Sequence, residues 1–156
     1  MNFKLLTASA LAIVLGASVT VADSHADKAI MEAIKARQGQ MQLYSHNLGV
    51  LGAMAKGDVA YDSAAAKAAA DNLAVVSGLN AMTMWPQGSD SSSVEGTRAK
   101  AEIWSNFPDV GAKAGALNAA AVAMAGAAGT DLDALRAAMG PLGGACSACH
   151  KAYRSR

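Results

Sequence analysis

Cys146-Ser147-Ala148-Cys149-His150 is the stretch whose reading decides the fold and the chemistry of this chain. Cys-x-x-Cys-His is the attachment motif of a c-type haem. Two thiols three residues apart can each form a thioether with one of the two vinyl groups on a haem edge. On a helix, positions 146, 149 and 150 share a face, because residues three and four apart are neighbours. His150 then reaches the iron from the side on which the cysteines hold the ring, and a proximal histidine is a standard haem ligand. Other readings account for fewer residues. A zinc centre takes four protein ligands, or three and a water, whereas this chain offers two cysteines, with His25 and His46 far away in sequence. A thioredoxin-like pair opens a helix after a strand, and no strand pattern is present. A disulfide between the two cysteines leaves His150 without a role.

The motif falls on a helical seam. From about Asp131, the positions Leu132, Leu135, Met139, Leu142, Cys146, Cys149 and Tyr153 recur three and four apart, which turns the cysteines toward a core. Gly140-Pro141 predicts a bend. Gly143 and Gly144 remove side chains just before the cysteines; they read as clearance for the haem plane, with helix fraying as the alternative. A third helix, starting near Thr97, carries Ile103, Phe107, Val110, Ala114, Leu117, Ala121 and Met124. Pro108 should kink or interrupt it, and Gly126 to Thr130 is the turn that follows. Residues 85–96, rich in Pro, Gly and Ser, show no period and read as a loop. Each flank offers only two helices, so this is a haem-side loop of one domain and not a linker between two.

The first half has the same period. From Asp27 to about Lys56 the seam runs Ile30, Ile34, Arg37, Met41, Tyr44, Leu48, Leu51 and Ala55, in alternating steps of four and three. Gly57-Asp58 ends this helix. Tyr61-Asp62-Ser63 opens the second, with Asp62 or Ser63 as N-cap, and its thinner seam is Ala66, Ala69, Leu73 and Val76. The expected fold is all-α: an antiparallel up-down-up-down four-helix bundle over residues 23–156, with covalently bound haem c in its core. Alanine-rich seams leave space that a large flat cofactor would fill.

Residues 1–22 read as a secretory signal peptide, with Lys4 as the positive region and an apolar run from Leu5 to Ala17. Cleavage after Ala22 or after Ala26 fits. The run is too short for a stable membrane span, which speaks against an uncleaved anchor. Export agrees with the haem motif, since covalent haem attachment in bacteria takes place outside the cytoplasm. The mature chain, about 130 residues, is long enough for one domain with a core. Losing Lys4 leaves twelve Lys and Arg against twelve Asp and Glu. That balance argues against nucleic acid as a partner.

With these residues in view, the chain resembles the cytochrome c′ family, the class II c-type cytochromes. The resemblance rests on Cys146 to Arg154 near the C-terminus, on Ala36-Arg37-Gln38 followed by Met41, on Met54-Ala55-Lys56-Gly57 with Tyr61-Asp62, and on Glu102-Ile103-Trp104. Cys-x-x-Cys-His is common to all c-type cytochromes; its C-terminal position, with an arginine and a methionine four apart on an early helix, is more specific. The family implies a periplasmic four-helix bundle, often a homodimer through its first two helices. It implies a haem held by histidine on one side, which carries electrons to periplasmic redox partners and can bind nitric oxide or carbon monoxide. Met41 matches the family's distal position. It is compatible with a cap over a five-coordinate iron and with a sixth ligand, His150/Met41, in a low-spin electron carrier. The resemblance also carries Gln38 and, more weakly, Glu102 toward the haem.

Arg37 points the same way without the family. It is the only charge on the first seam, and burying a charge unpaired is costly. It therefore needs a partner, for which a haem propionate suits its bidentate geometry; a snorkelling arginine at the bundle edge is the alternative. Met31, Met54, Met82, Met84, Met124 and Met139 read as core filling. His46 points away from Met41 and reads as a surface or dimer-facing residue. Trp104 reads as core packing near the haem. No distal acid–base pair is evident, so the chain is not expected to be an enzyme. Two functions stand: electron transfer, and gas binding.

Overall fold

A computed structural model describes residues 19–156. Five α-helices follow in order: α1 (Val19–Lys56), α2 (Ser63–Ser77), α3 (Glu102–Ser105), α4 (Phe107–Ala127) and α5 (Leu132–Tyr153), with a 3₁₀ turn at Met82–Met84. The four long helices close a ring, in which α1 and α4 each pack against both α2 and α5. This is the expected all-α bundle. The segment 1–22 lies largely outside the described residues. α1 begins earlier than the expected Asp27, but the described residues of its first turns are exposed, and burial starts at Ile30 and Ile34.

The helix ends follow their local chemistry. Asp62 caps α2 by accepting from the Ala65 N–H at 2.9 Å, and Asp131 caps α5 by accepting from the Ala134 N–H at 2.8 Å. Each satisfies one of the amides that a helix start leaves without a partner. Gly57 ends α1 at a φ of 84°, the left-handed conformation that glycine adopts without a Cβ clash. An Asp131→Ala variant should lose about 1 kcal/mol, read as a lowered denaturation midpoint with an unchanged slope.

Pro108 interrupts the third helical pattern. α3 stops at Ser105, Asn106 leaves helical geometry, and Pro108 sits in the first turn of α4, where its missing N–H costs nothing. The structure corrects the start of this pattern. Residues 97–101 are not helical; Ala99 forms an antiparallel bridge to Arg154 beyond the end of α5. The Lys100 N–H donates to the Tyr153 carbonyl at 3.0 Å, and the Ser155 N–H donates to the Arg98 carbonyl at 2.8 Å. These bonds draw the end of α5 against the long connection. α4 is long and apolar enough, by length and composition, to cross a membrane; here it packs between α2 and α5.

The core is split. The main cluster joins α1, α2, α4 and α5 around Leu51, Leu73, Met124, Leu135 and Leu142. A smaller cluster joins Ala99, Ile103 and Tyr153 to Trp85, Trp104, Phe107 and Cys149. The two cysteines of the motif thus lie between two apolar masses.

Candidate functional site

Cys146 and Cys149 are free thiols, both half-buried on α5. An apolar slit reaches Cys146 and is lined by Tyr44, Leu48, Leu73, Leu117, Ala121 and Leu142. On the other side, Cys149 joins the smaller cluster. A Cβ added at Gly143 or Gly144 would meet no atom within 4 Å, so the turn before the cysteines presents open backbone. Burial pushes both thiols up from their ordinary range, opposite to the lowered thiol of a redox-active pair. His150 follows at the exposed side of α5. Burial, with Arg154 and Arg98 nearby, pushes its pKa down, which favours the neutral imidazole that ligates metal. Among the described residues no cluster of three or more His, Cys, Asp or Glu could hold a bare metal ion. The slit is closed to water in this structure, so a haem would have to part its walls; the two thiols and the histidine, beside missing side chains, are the residues that would hold a covalently attached haem.

Across the slit, α1 contributes a row one turn apart. Arg37 is 3% exposed. Its guanidinium donates to the Ser89 hydroxyl at 2.6 Å and to the Ser89 carbonyl. It also donates to the Thr97 hydroxyl at 2.7 Å and the Met84 carbonyl at 3.4 Å, and it lies 4.7 Å over the Trp85 ring. The partner demanded by its burial is therefore, in the first place, a set of loop oxygens and an aromatic face. Burial pushes its pKa down, and Asp90 nearby opposes this. Gln38 works on the same loop from the exposed side, donating to the Gly96 carbonyl at 2.7 Å.

Met41, the next position of the row, is 40% exposed. Tyr44 follows. Its hydroxyl donates to the Val76 carbonyl at 3.2 Å and accepts from the Gln40 side chain. Burial, with Cys146 nearby, pushes this phenol up to about 12. Glu102 stands apart, exposed at the start of α3. His46 is exposed on a different face, in an open groove with Gly49, Val50, Ala53, Met54 and Val59. The structure thus brings Arg37 and Gln38 together on one loop and leaves Glu102 and His46 outside that group.

Sequence reasoning missed two arrangements. Ser89 and Thr97 lie 52 and 60 residues from Arg37, in a loop without period, and only the lone charge on the seam hinted at them. The second is on α5: the Tyr153 hydroxyl donates to Asp109 at 2.6 Å and accepts from the Asn106 side chain at 3.0 Å. Asp109 pairs with Lys113 at 3.3 Å.

The loop also holds a pH-sensitive knot. Asp90 accepts from the Ser92 and Ser93 amides and hydroxyls. The Ser92 and Ser93 hydroxyls chiefly hold its carboxyl down at about 2, against about 3.9 in an open chain. A depressed carboxyl stabilises the fold above the open-chain value, and that contribution fades as pH falls through the folded value. Acid titration from pH 4 to 2 should loosen residues 89–97 before the bundle melts, read as proteolysis within the loop. Ser93→Ala should move that loosening to higher pH.

Comparison with known proteins agrees with this geometry. The cytochrome c′ family profile matches residues 32–154. A cytochrome c-554 of Cereibacter sphaeroides is 39% identical over 81% of this chain and 83% of its own length. The solved structure of a Rhodobacter cytochrome c′ superposes with a TM-score of 0.79 at 37% identity, over 81% of this chain and 98% of that one. A ferrous cytochrome c′ variant from Alcaligenes xylosoxidans, solved with nitric oxide bound, is 34% identical with a TM-score of 0.70, over 81% of this chain and 96% of that one. With the helix ring, the thiol pair on α5 and matches over most of its length, the chain belongs to the cytochrome c′ family, whose cofactor is a covalently bound haem c.

Proposed function

We propose that this protein is an exported electron carrier whose haem iron, held by His150 alone, also takes up nitric oxide or carbon monoxide. Bound at these residues, the haem would supply one-electron exchange and a gas site. The chain supplies two tethers, Cys146 and Cys149, and the proximal imidazole of His150. The observation that carries the reading is the apolar lining of the slit. Leu48, Leu73, Leu117 and Ala121 exclude water, and the hydroxyl of Tyr44 is already committed to the Val76 carbonyl. Such a lining favours a small neutral gas over peroxide, whose turnover needs acid–base groups at the iron. Residues 1–22 act as the export signal, removed after Ala22 or Ala26, and place the domain in the periplasm. The open groove around His46 and Val50 on α1 suits a homodimer through the first helices.

Met41 supports a second reading. Its exposed side chain has no hydrogen-bonded hold and three rotatable bonds, so its sulfur is free to approach the iron. A His150/Met41 pair would make a low-spin carrier of higher potential, as histidine–methionine ligation does in cytochromes c. The oxidised spectrum and electron spin resonance separate the two. A high-spin signal in the parent protein, unchanged in Met41→Leu and converted by nitric oxide, is the expected result. A methionine–iron charge-transfer band in the far red that vanishes in Met41→Leu makes electron transfer alone the function. A parent protein that is low-spin, and stays so in Met41→Leu, refutes both and directs the search to His46.

A further inference from the structure

The bridge between Ala99 and Arg154 gathers charge. It places Arg98 and Lys100 beside Lys151, Arg154 and Arg156, so five of the twelve cations after residue 22 share one end of the bundle, next to His150. The described ion pairs all lie elsewhere, at Lys35–Glu32, Lys67–Asp71, Lys113–Asp109 and Arg136–Asp133. Glu95 and Glu102, the acids nearest in sequence, pair with none of the five. Part of this charge has a local use. Arg98 donates to the Ser155 carbonyl at 3.2 Å and Lys100 to the Ala152 carbonyl at 3.3 Å, satisfying groups at and beyond the helix end. Yet a helix C-terminus carries only about half a negative charge, far less than five cations supply. The remainder faces solvent, while the rest of the chain after residue 22 holds seven cations against twelve acids, so the molecule is polarised, with its positive end at the collar.

We infer that this basic collar is the docking surface for an acidic redox protein, which exchanges electrons with the haem beside His150. The inference rests on the electron-carrier reading and names its partner's chemistry. A protein fits better than a lipid surface. Among the described residues the large exposed apolar side chains are Met31, Met41, Leu43, Val59, Val75, Leu79, Met82 and Val122, and none belongs to the collar, whereas interfacial membrane binding needs apolar anchors beside the cations. Clustered charge of one sign steers an opposite partner and raises its association rate ten- to a thousandfold, an advantage that salt removes.

The test is stopped-flow reduction of the oxidised holoprotein by an acidic plant-type ferredoxin, whose reduced [2Fe–2S] cluster gives one electron to the ferric haem. Lys151→Glu/Arg156→Glu leaves three cations against two carboxylates and nearly cancels the collar's charge. Lys56→Glu/Lys67→Glu changes the net charge equally at the opposite end of the bundle, where α1 ends and α5 begins, and serves as control, and unchanged absorption spectra confirm intact holoprotein. The collar variant should react about tenfold more slowly than the parent and lose its salt dependence, with the control close to the parent. Oxidation of the reduced protein by anionic hexacyanoferrate(III) should follow the same order, and by cationic tris(phenanthroline)cobalt(III) the reverse. Equal rates for the two double variants overturn the inference alone. Binding of the parent, but not the collar variant, to phosphatidylglycerol vesicles assigns the collar to lipid and also overturns it. No electron exchange with any reagent overturns the carrier reading together with it.

Discussion

A Cys146→Ala/Cys149→Ala chain is expected to release its haem into acidified acetone, whereas the parent chain keeps the colour with the polypeptide. Both thiols lie on α5 between the two apolar clusters, so each can reach one vinyl group while His150 turns to the iron. Cys149→Ala alone should give a single-thioether product with a shifted haemochrome. The same double variant should also be the least stable. The main core contains Ala66, Ala69, Ala70, Ala121 and Ala128 among its buried residues, and alanine buries little apolar area compared with leucine or phenylalanine. The bundle therefore depends on what fills its slit. A ligand that binds only the native state, at a thousand times its dissociation constant, adds about 4 kcal/mol, and a tethered haem should contribute on that order. Circular dichroism of the apoprotein should show lost or molten helix. His150→Ala should keep the thioethers and lose the proximal bond, which separates attachment from ligation. An apoprotein with native helicity and an unchanged melting temperature would count against the haem as a core element.

What was legible in the sequence follows periodicity. The α1 seam of Ile34, Arg37, Tyr44, Leu48 and Leu51 turns inward as expected, and the α5 seam brings Leu135, Leu142 and Tyr153 to the core. Both were readable because a helix buries every third or fourth residue regardless of what it packs against. The same period overreached where the partner surface ends. Ala114 on α4 keeps the spacing yet is exposed, because spacing names a face and not the length over which that face is covered. The connection before α3 was legible only as a loop. Its bridge to Arg154 and the oxygens that receive Arg37 come from residues more than fifty positions apart, and pairings at that distance leave no local pattern. The haem motif was legible for a different reason: covalent chemistry fixes its spacing whatever the surrounding fold.

Arg37→Leu is expected to detach the loop from α1. One guanidinium ties Met84, Ser89 and Thr97 to the helix and covers the Trp85 face. Leucine keeps the apolar stem and removes every donor. Buried oxygens left without partners cost about 1–3 kcal/mol each, partly recovered as water enters, so a net loss of about 3 kcal/mol is expected. Arg37→Lys should recover little of it, because an ammonium's donors radiate from one atom and cannot span the separate oxygens that Nη1 and Nη2 reach. Proteolysis should move into residues 85–97. The reduction potential then distinguishes two uses of the cation. If Arg37 also faces a haem propionate, both variants stay folded at low temperature but only Arg37→Leu lowers the potential, since a nearby positive charge favours the reduced haem. If Arg37 serves the loop alone, Leu and Lys variants lose stability together, and the potential and its pH dependence follow the parent protein.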